Sequence, residues 1–354
     1  MNNKKVAIVT LGWREYTTKY FEAFMASARA QDYPGETMVF VTDNETSPET
    51  YELIAKTAPD AVVILNKTND GFAKGMNDGM REALRQGYDY IAVINIHTTF
   101  EPDYISELVK AMEADEKIGV AQGLMLMPDK QTISSLGNAT HFLGFGYCRG
   151  YNYKYEDYKS AIGNRQSAIF YPSGTSMFFR REALERIGLM DEEYWMYNED
   201  QEIGWRVWLA GYKCVLAPKA VMYSDYQFKR SMAKVYWMDR NRIISLLICF
   251  KLPTLFLILP AFVIMEIGQI FFALANGWLK DKLRVYVYFL QPRTWFYLVK
   301  ARRRNQSLRT TKDREIAPLI TGEIKHQEFE DWKLRLINPV FDLYWRIARS
   351  VIWW

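Results

Sequence analysis

Short apolar runs rich in β-branched residues alternate with longer stretches of helical period over the first 115 positions. Val6 to Leu11 (VAIVTL), Thr37 to Thr42 (TMVFVT), Ala61 to Leu65 (AVVIL) and Tyr90 to Ile94 (YIAVI) read as buried strands. Tyr20 to Ala30, Ser47 to Thr57 and Phe72 to Gln86 read as the helices between them. Strands alternating with helices predict a mostly parallel α/β sheet flanked by helices. Ligands of such sheets sit beyond the carboxyl ends of the strands. Those ends carry Thr10, Asp43, Asn66 to Asp70, and Asn95 to Thr98, four polar clusters that core packing does not explain.

The pattern is mixed from 116 to 190. Gly119 to Met127 is expected to be a strand, and Thr140 to Tyr158, rich in Gly and Tyr, a flexible loop over a pocket. Tyr171 to Arg180 predicts a turn into a strand, Arg181 to Ile187 a helix, and Ala217 to Ser224 a last strand. After Arg240 the chain becomes strongly apolar from Ile243 to Leu279, but Lys251 and Glu266 interrupt it and Pro253 and Pro260 break it. Its longest uncharged run, Leu252 to Met265, falls short of the roughly 20 residues of a membrane span. A monotopic or re-entrant hairpin is therefore expected rather than a simple span, with two irregular spans as the alternative. The end of the chain (WKLRLINPVFDLYWRIARSVIWW) mixes Trp and Tyr with Arg335, Arg346 and Arg349, as a membrane-surface helix does.

Charge sharpens this division. Residues 231–354 hold 20 Lys/Arg against 10 Asp/Glu, whereas residues 1–230 hold 25 against 31. A basic, aromatic tail on an acidic body predicts an anionic partner, and the apolar content of the tail favours lipid over nucleic acid. The expected organisation is an α/β body over 1–240, its first 115 residues the parallel sheet, followed by a helical membrane-associating region over 241–354. Cys148, Cys214 and Cys249 have no short pair spacing, which offers neither a disulfide framework nor a zinc site. The opening MNNKKVAIVTLGW is expected to be a first strand, not a signal peptide.

Two stretches carry candidate chemistry. Lys67 to Gly79 (KTNDGFAKGMNDG) spaces glycines four apart at a helix start. That spacing suits either close approach of a phosphate ligand or packing of the helix on the sheet. Trp195 to Lys213 (WMYNEDQEIGWRVWLAGYK) sets Glu199, Asp200 and Glu202 at the head of an amphipathic helix. Carboxylates there are either first-turn helix partners or a general base in a cleft.

Four landmarks in order, VTDNETS (Val41 to Ser47), NDGFAKGMNDG (Asn69 to Gly79), PSGTSMFFRREALERIGLMDE (Pro172 to Glu192) and YNEDQEIGWRVWLAGYK, resemble the family 2 glycosyltransferases of GT-A fold. The likeness is closest to a rhamnosyltransferase-like branch of bacterial cell-surface polysaccharide synthesis. It covers roughly residues 4–240, and weakly the tail beyond, and implies a glycosyltransferase domain over 1–240 with a nucleotide-binding half (1–115) and an acceptor half (116–240). The resemblance implies a Rossmann-like GT-A sheet and an inverting transfer from a nucleotide-diphosphate sugar, either UDP- or dTDP-linked. It implies that Asp43 contacts the base and that Gly71 to Asn77 line the nucleotide site, with Thr10, Asn69, Phe72, Lys74 and Asn95 beside it. Asp200 would be the general base, oriented by Glu199. Glu202, Gly174 and Trp195 would shape the acceptor side, and Arg206 would be a structural or diphosphate-side cation.

Two positions depart from the family. Its metal motif usually ends in Asp, where this chain has Asn95-Ile96-His97, and its common His after the last strand is here Ser224. A divalent metal (Mn²⁺ or Mg²⁺) normally neutralises the leaving diphosphate. His97 could ligate Mn²⁺, could serve a metal-independent enzyme as cation or hydrogen-bond donor, or could mark a degenerate site. His141 and His326 are expected to be bland, the first in the mobile loop. The implied function is sugar transfer to a lipid-linked oligosaccharide or polysaccharide at the cytoplasmic face of the cell membrane, peripheral or monotopic. No nucleic-acid partner is expected, and homo-oligomerisation stays open. The alternative is a non-catalytic sugar-nucleotide or glycan-binding partner of another membrane glycosyltransferase.

Overall fold

The alternating pattern builds β1 (Val6–Trp13), α1 (Glu15–Arg29), β2 (Thr37–Asn44), α2 (Pro48–Thr57), β3 (Val62–Asn66), α3 (Gly71–Arg85) and β4 (Tyr90–Ile94) in a computed structural model that describes residues 4–163, 166–226, 232–324 and 332–354. β5 (Thr98–Phe100), α4 (Tyr104–Glu113) and β6 (Ile118–Leu126) follow. β7 (Ile133–Ser135) follows, and the stretch 140–158 expected to be a loop instead holds the end of β8 (Asn138–His141), β9 (Gly146–Cys148) and the start of α5 (Tyr155–Ile162). Then come β10 (Ser167–Ala168), β11 (Ser176–Arg180), α6 (Arg181–Ile187), α7 (Glu199–Leu209) and β12 (Lys213–Ser224). Two compact units result: Met1–Asn138 with Cys148–Val207 and Tyr212–Gln227, and Ala139–Tyr147 with Trp208–Gly211 and Phe228–Trp354. The sequence boundary at 240 falls inside a helix of the second unit.

The first unit is built on one sheet in the order β10-β12-β6-β11-β4-β1-β2-β3. β4, β1, β2 and β3 run parallel, as the alternation predicts, and β11 enters antiparallel between β4 and β6. Every residue of β4 is buried, which is why its sequence is a continuous apolar run. α3 lies directly on β1. A Cβ at Gly79 would fall 2.5 Å from Val9 Cγ1, and one at Gly75 would fall 2.6 Å from Leu11 Cδ1. Two of the three spaced glycines therefore serve helix–sheet packing.

The second unit holds α8 (Met232–Cys249), α9 (Leu252–Ala275), α10 (Leu279–Leu290), α11 (Pro292–Ser307), α12 (Asp313–Ile316), β13 (Ile320–Thr321) and α13 (Trp332–Ser350). α9 corrects the sequence reading: one helix runs through Pro260 for 24 residues, and among the described residues it alone is long and apolar enough to cross a membrane. Its interrupting Glu266 is buried in a cluster. Arg242 and Lys282 each pair with both Asp239 and Glu266; the two Lys282 pairs are 2.7 Å and Arg242 to Asp239 is 2.6 Å. Gln269 Oε1 accepts from both cations and Tyr286 donates to Glu266. Burial pushes the Glu266 carboxyl up, but Arg242 and Lys282 outweigh it and hold the group below its ordinary value.

The loop reading of His141 is corrected too. Residues 138–144 are buried, and Thr140 and His141 pair in parallel with Ile320 and Thr321. His141 Nε2 donates to Gly322 O at 3.0 Å while Nδ1 accepts from Leu143 N, so the ring is neutral. Burial pushes its pKa down to about 3. Trp345 of α13 stacks on Phe142 at 5.2 Å and 3°. His326 and the side chain of Arg335 lie outside the described residues.

Gly79→Ala tests the α3 packing. Val9 is fully buried and β-branched, with little rotamer freedom to yield. The substitution is expected to lower stability by about 1–3 kcal/mol in urea denaturation, and an unchanged midpoint would contradict the packing role.

Candidate active site

The head of α7 is set by a strained turn. Trp195, Tyr197 and Asn198 have φ of 60°, 65° and 63°, left-handed values that non-glycine residues seldom adopt. Such strain of order 1–3 kcal/mol per residue persists only where surrounding contacts impose it. One such contact is α3: Ala73 N donates to Trp195 O at 3.2 Å. Gly71, at φ +87°, lies so close that a Cβ there would fall 2.5 Å from Trp195 Cδ1 and 2.6 Å from its carbonyl oxygen. Gly71 is thus required both by its backbone conformation and by the approach of Trp195.

This turn presents Glu199 and Asp200 to the 173–175 segment. Asp200 Oδ2 accepts from Gly174 N at 2.9 Å and Oδ1 from Gln201 N at 2.8 Å. Burial pushes its carboxyl up to about 6, against the backbone hydrogen bonds that pull it down. Glu199 is 5% exposed and its Oε2 has no hydrogen-bond partner. Burial, and then the charge of Asp200, push its carboxyl well above the usual range. A Cβ on Gly174 would stand 3.4 Å from the Phe72 ring and 3.6 Å from Glu199 Oε1. Asn95 at the end of β4 joins the same segment, its N bonded to Thr175 O at 3.2 Å and its Nδ2 to Thr175 Oγ1 at 3.3 Å. The fold therefore brings together Gly71, Phe72, Asn95, Gly174, Trp195, Glu199 and Asp200.

Other expected site residues are spent on structure. Arg206 and Glu202 are both fully buried and form a bidentate pair, 2.7 Å from Nη2 to Oε2. The remaining guanidinium donors go to the carbonyls of Ile187, Gly188 and Leu189. That corrects the diphosphate-side reading of Arg206 and the acceptor-pocket reading of Glu202, because both side chains are shut off from the surface and engaged with each other and the 187–189 carbonyls. Asn77 is corrected likewise: it bonds both N and O of Met190 and the Glu192 carboxylate. Lys74 stands between Asp70 at 3.2 Å and Asp78 at 2.8 Å. Asn69 Oδ1 accepts from Gly71 N at 3.0 Å and so shapes the α3 entry.

Asp43 is fully buried, accepting from Thr17 Oγ1 at 2.9 Å and Thr50 Oγ1 at 2.7 Å. Neither threonine was singled out by sequence reasoning; Thr50 sits three residues after the Ser47 helix cap, and that spacing was its one available signal. Thr10 is buried with its hydroxyl unpartnered. His97 is 7% exposed, with Nε2 unpartnered and the rings of Tyr226, Tyr16 and Tyr20 at 5.3, 6.1 and 6.2 Å. These tyrosines were also missed, since nothing in their spacing joins them. Burial pushes the His97 pKa down to about 4, against the attraction of Asp225, so the ring is neutral near pH 7 and the cation reading fails. Asp225 accepts from Tyr20 at 3.0 Å. Among the described residues no three His, Cys, Asp or Glu side chains group closely enough to hold a metal ion. One imidazole within aromatic rings does not fit Mg²⁺, which takes oxygen ligands in near-octahedral geometry.

Glu199→Gln probes the carboxyl pair through stability. A carboxyl whose folded pKa is raised binds its proton more tightly in the folded state. Its stabilising contribution is complete below the unfolded pKa and is lost as pH rises toward the folded value. Glu199→Gln is therefore expected to be relatively more stable than the parent at pH 8 than at pH 4. A urea-midpoint difference that is the same at both pH values would contradict the raised pKa.

The description Glycosyl transferase family 2 matches residues 13–188. The poly-beta-1,6-N-acetyl-D-glucosamine synthase of Staphylococcus aureus (strain COL) is 24% identical over 210 residues, 57% of this chain and 46% of that protein. The chain thus spans about half the length of that curated relative. Two solved structures share the fold. GalNAc-T7 with UDP, GalNAc and Mn²⁺ has a TM-score of 0.54 at 13% identity, covering 70% of this chain and 48% of that one. S. aureus TarS 1-349 in complex with UDP has a TM-score of 0.50 at 14% identity, covering 98% of this chain and 90% of that one. The polar ends of β2 to β4 and the glycine-opened α3 lie within the matched residues: residues 13–188 carry a glycosyl transferase family 2 domain, and the chain has the GT-A fold of these glycosyltransferase structures.

Proposed function

We propose that the enzyme moves a sugar from a UDP- or dTDP-sugar to a growing polysaccharide or lipid-linked glycan, with Asp200 as general base. The observation that carries this is the placement of Asp200, half-buried and held by Gly174 N, beside the buried and unpartnered Glu199 Oε2. An acceptor hydroxyl losing its proton to Asp200 attacks the anomeric carbon, and the bond from that carbon to the diphosphate oxygen breaks. One in-line displacement inverts the anomeric centre. Asp200 has the proton affinity for this role near neutral pH. Protonated Glu199 keeps the pair at one negative charge and offers a donor to the acceptor sugar. Trp195 supplies an aromatic face, and Gly174 leaves room for the acceptor.

The S. aureus relative is named as a polysaccharide synthase, which supports a polysaccharide product. The sequence resemblance implies rhamnose as the sugar, whereas that relative's name carries N-acetylglucosamine; a panel of dTDP-rhamnose and UDP-N-acetylglucosamine decides between them. The basic, aromatic second unit supports work at the cytoplasmic face of a membrane, peripheral or monotopic. The paired carboxyls favour an enzyme over the non-catalytic binding partner.

Asp200→Asn is expected to lower transfer by about 10²–10⁴-fold with nucleotide affinity, read by calorimetry, unchanged. Transfer near the parent rate would remove Asp200 as base. The parent should show an acidic limb in kcat/KM near pH 6, rising with pH because the base acts when ionised.

The donor set at His97 predicts nucleotide binding without a divalent cation. UDP or dTDP affinity is expected to be the same in EDTA and in Mn²⁺. Loss of binding in EDTA would show that phosphate oxygens and the residues around His97 complete a metal site.

A further inference from the structure

α9 satisfies the length and composition of a membrane span, yet one of its sides is fastened within the second unit along the whole helix. Thr254 Oγ1 donates to Asp313 at 2.6 Å and accepts from Trp354 Nε1 at 2.8 Å. Tyr344 donates to Leu257 O at 2.6 Å. Further along, Glu266 and Gln269 meet Arg242 of α8 and Lys282 of α10. The opposite side exposes Leu252, Phe256, Leu259, Val263, Ile267, Phe271 and Leu274, a stripe of helical period running end to end. A helix crossing the bilayer alone would carry Glu266 through hydrocarbon or drag its partners with it. Among the described residues no other helix is both long and apolar enough to cross beside α9.

The same stripe recurs on its neighbours. α10 exposes Leu283, Val287 and Leu290, and α13 exposes Leu336, Val340, Leu343 and Ile347, with Val351 just beyond its end. Among the described residues, 20 of the 26 exposed large hydrophobic side chains lie between Leu252 and Trp353. α11 adds charge to its own stripe: Trp295, Phe296 and Val299 line a groove with Lys300 and Arg303. Phe296, Lys300 and Arg303 stand at i, i+4 and i+7, on one face. A second copy of the chain would bring a surface of the same positive excess, 20 basic against 10 acidic residues in 231–354. An anionic bilayer matches both the apolar stripes and the cations.

We propose that the second unit seats in one leaflet of an anionic membrane. α9 lies in the membrane plane, clamped from the protein side by Asp239, Arg242, Glu266 and Lys282, and Lys300 and Arg303 take lipid headgroups. Basic side chains beside aromatic and aliphatic ones reach the headgroup layer while their stems stay in the apolar boundary. This rests on the proposal that the enzyme works at a membrane surface and adds its geometry.

The test uses the full chain with Cys148→Ser, the other two thiols being buried. Cysteines at Phe256, Ile264 and Phe271 carry an environment-sensitive fluorophore, and lipid quenchers at two depths report its position in phosphatidylcholine vesicles with and without phosphatidylglycerol. All three labels are expected at one shallow depth. Lys300→Gln with Arg303→Gln should weaken binding to the phosphatidylglycerol vesicles roughly thirtyfold and leave phosphatidylcholine binding unchanged. Depth that changes steadily along α9 would overturn the in-plane geometry in favour of a span. A vesicle-free dimer that shields the labels would overturn the lipid assignment in favour of a second copy. Absence of binding to either vesicle would overturn the membrane reading itself.

Discussion

Two adjacent carboxyls cannot both ionise when they are withdrawn from water at the head of one helix. In a poorly polarisable setting each charge raises the cost of the other, and the pair divides into one anion and one acid. Hydrogen bonding decides which is which. Asp200 accepts from the amides of Gly174 and Gln201, which favours its anion, whereas Glu199 has an oxygen with no partner and its carboxyl is pushed well up by burial. The positive end of α7 adds to the preference for charge there. A base and an acid thus arise from neighbouring residues through environment alone.

The rest of the first unit holds that pair in register. Gly71 opens α3 and admits Trp195; Trp195 bonds back to Ala73; the three left-handed residues then deliver Glu199 and Asp200 to the 173–175 segment. Behind them the fully buried Glu202–Arg206 pair ties the first turns of α7 to the carbonyls of 187–189. Removing one partner of a buried pair leaves an uncompensated charge, at a cost of about 3–5 kcal/mol. On the proposed reading, the acids of α7 divide between chemistry and support within four positions.

Much of the frame was legible in the sequence because burial and period coincide there. β4 and α6 fall on the predicted residues, since a strand buried on both faces is a continuous apolar run and α6 begins directly after β11. The 140–158 stretch was misread because Gly and Tyr signal loops by composition, whereas its burial comes from pairing with residues 320 and 321, far along the chain. α9 was misread because Glu266 was counted as an interruption, yet its partners lie on α8 and α10 and neutralise it. In the site, the acid-headed helix and the glycine-opened helix were visible as motifs. Their division of labour was not: Asn77, Glu202 and Arg206 carry motif-like spacing but point inward, and the left-handed backbone of 195–198 leaves no mark in residue type. The tyrosines around His97 meet only through folding.

The central claim is that Asp200 is the ionised base and Glu199 its protonated neighbour. Carbon-13 NMR titration of the carboxyls, assigned with Asp200→Asn and Glu199→Gln, measures this directly. The account predicts that Asp200 titrates near 6 and that Glu199 stays protonated through neutral pH. Two carboxyls that both ionise near 4, as exposed groups do at about that value, would contradict it.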